Sequence, residues 1–169
     1  MQKKFFLLAV SFLFLSAQGV AQDTGCDIKS IVQADETMYY YVAMDTFYFN
    51  QTKQLMGGMI TDKENYFLTL EPKPSPVKVK KLKDYKPLLV RLANDSTYQL
   101  EFFDARFVQD SVYVVMYMFN PKKDKAFLHY GVESVTMKTP FQTETYNFKF
   151  HKDAIIHHLK CLDAGKNKL

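Results

Sequence analysis

Ser111 to Phe119 is the most apolar stretch after the first fifteen residues, and Val112-Tyr-Val-Val-Met-Tyr-Met-Phe119 contains no charge and no turn former. A run this short, rich in aromatic and β-branched residues, predicts a strand, and the lack of alternation predicts one covered on both faces. Such a strand needs neighbours on either side and packed layers above and below. The chain offers candidates for both. Met38 to Met44, Thr46 to Phe49 and Asn65 to Leu70 are dense in Tyr, Phe, Val and Met, residues that suit a pleated surface. Lys86 to Ala93 and Thr97 to Phe103 flank Asn94-Asp95-Ser96, a hairpin signal. Val132 to Thr139 and Thr143 to Phe150 form a second pair, turned by Pro140 to Gln142. In the latter, Tyr146, Phe148 and Phe150 alternate with Thr145, Asn147 and Lys149, so one face is expected to be buried and the other wet.

Helical signals fall late in the chain. Asn120 before Pro121 reads as an N-cap and first helical residue, and Gly131 as a closing residue with positive φ, which together predict a short helix over 121–130. From Lys152 the period changes: Ile155, Leu159 and Leu162 recur at i, i+4 and i+7, with Asp153 at the start and Gly165 at the end. That amphipathic stripe must pack on the sheet. The expected fold is therefore α+β: an antiparallel, curved β-sheet closed by a C-terminal amphipathic helix, with one short additional helix.

At the amino terminus, Lys3 and Lys4 precede the apolar run Phe5 to Leu15, and small residues follow at Gly19 and Ala21. A bilayer core of roughly 30 Å needs about 20 apolar residues to cross, so this shorter run predicts a cleavable secretory signal. The expected cut lies after Ala21, with Gly19 as the second choice, giving 1–21 as signal peptide and 22–169 as a single domain. No stop-transfer pattern follows, no transmembrane segment is expected in the mature chain, and Cys26, preceded by Asp23-Thr-Gly25, lacks a lipoprotein context. The expected address is the periplasm or the exterior. There, two cysteines predict a bridge between Cys26 and Cys161, near the two ends of the mature chain. Loss of Lys3 and Lys4 lowers the formal charge from +4 to +2, too little to suggest nucleic acid as a partner.

The Lys-Lys-Phe-Phe start, the aromatic body, and an ending of Tyr-Asn-Phe-Lys-Phe150 followed by a helix with Leu-Lys-Cys-Leu162 resemble small uncharacterised exported proteins of Bacteroidota-type bacteria. The resemblance implies export and brings no catalytic motif.

The residues themselves offer little catalytic chemistry. There is no H-E-x-x-H, C-x-x-C, G-x-S-x-G or glycine-rich phosphate loop, so no catalytic residue, cofactor or metal is assigned. His151, His157 and His158 gather around the last helix; adjacent helical positions diverge by about 100°, which prevents His157 and His158 from facing one ion. His157 and Cys161 could share an ion only with the cysteine reduced, and the histidines are expected on the wet side of the helix. Between Glu71 and Pro87, Pro72, Pro74 and Pro76 lead into Lys78, Lys80, Lys81 and Lys83. This reads as an extended connection into a lysine-guarded edge strand, with a basic surface for acidic glycans or lipid head groups as the functional alternative. Ser96 and Ser111 sit in Asp-Ser-Thr/Val contexts that suit O-glycosylation. The expected function is a non-enzymatic binding or structural-interaction protein whose partner is another protein, a glycan or a small apolar ligand. The alternatives are a carrier holding a small apolar ligand between sheet and helix, and an enzyme of unknown type.

Overall fold

The structure is a computed structural model that describes residues 26–32, 36–76, 81–108 and 112–166. The expected signal, Lys78, Lys80 and Ser111 lie outside these residues. The described chain is antiparallel sheet with one C-terminal helix, an α+β fold. Its strands are β1 (Ile28–Val32), β2 (Met38–Val42), β3 (Asp45–Phe49), β4 (Gln54–Thr61), β5 (Tyr66–Lys73), β6 (Leu88–Leu92), β7 (Thr97–Leu100), β8 (Phe102–Val108), β9 (Val112–Phe119), β10 (Val132–Lys138) and β11 (Thr143–Asn147); the helix is α1 (Ala154–Lys166). A seven-stranded sheet runs β1-β2-β4-β5-β9-β8, with β3 also beside β4, and a four-stranded sheet runs β11-β10-β6-β7.

As its sequence predicts, β9 is an interior strand, between β5 and β8. Tyr113, Val115, Tyr117 and Phe119 point into the main core, which also takes Leu88, Val90 and Leu92 of the smaller sheet and Ile155, Leu159 and Leu162 of α1. Val114 and Met116 point the other way and are buried in a separate small cluster with Phe67. The helix lies against β4, β2 and β1, and the Cys26–Cys161 disulfide, with Cα atoms 5.4 Å apart, ties the start of β1 to it.

The glycine pair in Gln54-Leu-Met-Gly-Gly-Met-Ile-Thr61 hides β4 from a reading by propensity, although β4 touches three other strands. Gly57 is required by close approach: a Cβ there would lie 2.6 Å from the Thr69 carbonyl oxygen and 2.7 Å from the Phe47 ring. The ladder fixes that carbonyl, so the clash cannot be relieved by a rotamer change. Gly57→Ala is expected to cost about 2 kcal/mol by overpacking, read as a lower urea midpoint at unchanged slope.

Several local expectations require correction. Residues 121–130 do not form a helix: a turn at Pro121–Lys123 leads into a single 3-10 turn, Lys125–Leu128. Phe127 alone is buried there, wedged between the rings of Tyr98 and Phe119, and one anchor supports only one turn. Asn120 does cap the turn, its Oδ1 accepting from the Lys122 and Lys123 amides at 3.0 and 3.3 Å. Asn120→Ala is expected to lower stability by about 1 kcal/mol, and superimposable denaturant curves would show that the cap contributes nothing. Gly131 does not adopt positive φ; it leaves room for Asp153, whose Oδ1 would lie 2.6 Å from a Cβ. Nor does Gly165 end α1, which continues through Lys166. Phe150 is exposed because the ladder stops at Asn147, after which the Lys149 and Phe150 amides both turn to the Phe47 carbonyl.

The proline-lysine segment also begins later than its composition suggests. Glu71, Pro72 and Lys73 complete β5, opposite Met56, Leu55 and Gln54. Lys81 is exposed in the following connection and Lys83 in a 3-10 turn, Leu82–Asp84. The strand they precede, β6, is no edge, because it pairs with both β10 and β7.

Candidate functional site

Strand β4 has two different neighbours along one side. β2 pairs with Ile60 and Thr61, β3 pairs with Gln54 to Gly57, and the chain between them turns away at Ala43 and Met44. Gly58 and Met59 are left between the two pairings, and α1 fills this seam with His158. Its Nδ1 accepts the Met59 amide proton at 3.3 Å, and Gly58 permits the approach, since a Cβ there would lie 3.2 Å from the imidazole. With Nδ1 accepting, Nε2 carries the proton and donates to Asp45 Oδ2 at 3.0 Å.

His158 is 1% exposed, contrary to the expectation of a wet position. Burial pushes its pKa below the ordinary 6.5 despite the opposing pull of the Asp45 carboxylate, so the ring is neutral near pH 7. Both nitrogens are engaged, which leaves none to serve as a general base; the Asp–His pair is a structural pin. His151, exposed and at φ 51°, places Nδ1 3.4 Å from Asp45 Oδ1 on the solvent side. His157 is exposed as expected, with Nε2 3.6 Å from Cys161 Sγ.

A groove of about 540 Å³ lies across the outer face of the seven-stranded sheet. Alternation along the strands explains its lining. Tyr40 and Val42 face the core while Tyr39 and Tyr41 face out, and Val114 and Met116 do likewise on β9. Ile60 and Val112 complete a mainly apolar wall. Phe67, 2% exposed, sits among these strands with its ring against Tyr39 and Phe103. The polar groups are few. Thr69 donates to the Gly58 carbonyl at 2.9 Å, Glu71 is 8% exposed and paired with Lys73 at 3.0 Å, and Arg106 lies 3.5 Å from Asp104. Around them Ile31, Phe103 and Val108 remain exposed.

A second, polar cleft of about 730 Å³ lies where β5, β7 and β9 meet the turn after Asn120 and the end of α1. Lys63, Lys122 and Lys123 face Glu64, Glu101 and Asp124 there, and the Tyr66 hydroxyl donates to Asp163. Burial and that carboxylate push the Tyr66 phenol well above its usual range, so it stays protonated. Charges of both signs offset one another in this cleft.

The candidate residues named from sequence lie apart. The disulfide joins Cys26 to Cys161, Lys81 and Lys83 are exposed beyond β5, and Ser96 is half-buried in the β6–β7 turn with its hydroxyl donating to Asn94 Oδ1 at 2.6 Å. None of these lines the groove. Its signal was present in the second register of β2, β5 and β9, where apolar residues occupy the face away from the core as well. No protein-family model, curated protein or solved structure matches the chain.

Proposed function

We propose that this is an exported, non-enzymatic binding protein that holds a small, mainly apolar molecule on the outer face of its seven-stranded sheet. The observation that carries the reading is the groove itself: about 540 Å³, mainly apolar in lining, with Thr69, Glu71 and Arg106 as its few polar groups. Small-molecule sites commonly enclose roughly 300–1,000 Å³ and combine an apolar wall with a few placed polar groups. The ligand sits away from the sheet–helix interface, where Leu55, Met59, Leu159 and Leu162 fill the space at 1% exposure or less. A bridged cysteine pair is in keeping with an oxidising address. So is the amino-terminal pattern, from which the exported chain is expected to begin at Gln22; amino-terminal sequencing that returned Met1 would remove the export half of the proposal.

The binding half is tested with N-phenyl-1-naphthylamine as an apolar fluorescent probe on the mature chain. Saturable enhancement at one probe per chain is expected, with Val112→Arg weakening it at least tenfold while the thermal transition is retained. Val112 is a half-buried wall residue, so the charge enters the groove without opening the core. Absence of saturation, or equal binding by the variant, would reject a small-molecule site. Self-association that Val112→Arg abolishes, without probe binding, would make this face a contact between copies instead.

A further inference from the structure

Beside the middle of α1, three ligand-bearing atoms converge: Cys26 Sγ, Cys161 Sγ and His157 Nε2 all lie within 4.8 Å of one another. We propose that the reduced protein binds one zinc ion through these three atoms, with the fourth position open to water, and that the disulfide and the metal are alternative occupants of the same place.

Helical spacing supplies two of the ligands. His157 and Cys161 stand at i and i+4 on one face, and Nε2 lies 3.6 Å from Sγ. Two ligands at tetrahedral zinc, with Zn–S about 2.3 Å and Zn–N about 2.0–2.1 Å, stand about 3.6 Å apart, so this pair already has the separation the ion requires. The third ligand is held by the sheet. Two residues beyond Cys26, Ile28 is fixed opposite Val42 and packs on the main core, so in the folded, reduced chain the ladder keeps Cys26 beside α1. With Cα atoms 5.4 Å apart, a side-chain rotation opens the sulfurs to the separation of about 3.8 Å that two zinc thiolates need. Cys161 is buried, Cys26 half-buried and His157 exposed, which gives the site a dry floor and a path from solvent.

The chemistry balances with a trialkylphosphine as reductant. Phosphorus attacks one sulfur, the other leaves as thiolate, and water hydrolyses the thiophosphonium intermediate, giving two thiols and the phosphine oxide; the disulfide gains two electrons and two protons. Zinc then displaces both thiol protons and takes the imidazole in its neutral form.

The test uses the full mature chain, reduced without oxygen and freed of phosphine, with Co²⁺ as a spectroscopic stand-in for zinc. Expected are one Co²⁺ per chain, thiolate-to-cobalt charge transfer in the near ultraviolet, tetrahedral ligand-field bands in the visible, and loss of both on adding Zn²⁺. The oxidised protein should show none of these. His157→Ala, at an exposed position, should weaken binding at least tenfold and shift the visible bands to lower energy as water replaces nitrogen. A folded, reduced protein without charge transfer, or a His157→Ala variant indistinguishable from the parent, would overturn the site. Should reduction unfold the chain by circular dichroism, zinc must restore the folded signal in the parent and not in Cys26→Ser, which removes a ligand at a half-buried position; failure to restore it rejects the proposal equally.

Discussion

Replacing the disulfide by Cys26→Ser with Cys161→Ala is expected to lower the unfolding free energy by about 4 kcal/mol. The bridge closes a loop with a sequence separation of 135, for which restriction of the unfolded chain alone gives about 5 kcal/mol. Residual order in the unfolded chain lowers that figure somewhat. Ala at 161 avoids placing a hydroxyl at a position that is 0% exposed. Urea titration of the oxidised parent and the double variant measures the difference. Domains of this size are stable by roughly 5–15 kcal/mol, so a midpoint that moved little would mean the unfolded chain keeps its ends together without the bond.

His158→Leu is expected to cost about 3 kcal/mol although it replaces a polar residue in the interior with an apolar one. The Met59 amide would lose its acceptor and Asp45 its donor, and a buried unpaired amide is penalised more than a hydrogen bond is worth. His158→Asn places an amide oxygen near the position of Nδ1 and should recover part of the loss. The same ring makes stability depend on pH. Its pKa is lower folded than unfolded, so below 6.5 the unfolded chain binds the extra proton first, and the contribution present above 6.5 is lost as pH falls toward the folded pKa. Protonated Nδ1 would also turn a donor toward the Met59 amide. Groups facing the ring are Asp45, which stabilises the cation, and His157, which opposes it; subtracting the pH profile of His158→Asn isolates the ring's share. Identical profiles between pH 5 and 7 would show that the ring titrates alike in both states.

These two results rest on features of very different visibility. The bridge was legible because an amino-terminal pattern that reads as an export signal and an even cysteine count converge on one chemistry. The β6–β7 hairpin, the two-sided burial of β9 and the stripe of α1 were legible for a similar reason: each is a local pattern with one physical explanation. What escaped was set by distant partners. Gly57-Gly58 looks like a break until Phe47, Leu70 and His158 claim the space its missing side chains leave. His158 stands three residues after Ile155 and four before Leu162, on the buried stripe of the helix, so its spacing marked it as interior; its partners were not legible, because they are set where β2 and β3 diverge from β4. The groove escaped because outward apolar residues on half-buried strands read as additional core. Residues 121–130 erred in the opposite direction: a sound cap and a proline start the turn, but there is too little apolar surface to extend it.

The divided edge of β4 has a consequence for how the protein is made. A ribosome delivers the chain from one end, so Met59 of β4 is made while the residue that completes its hydrogen bonding is still about a hundred residues from synthesis. Until His158 arrives, the amide of Met59 must be satisfied by solvent and the first sheet stays open at its seam. The seam acquires its final rigidity only when the last helix docks and His158 meets Met59 and Asp45. The position of the imidazole thus sets the order of events: strands first, closure after.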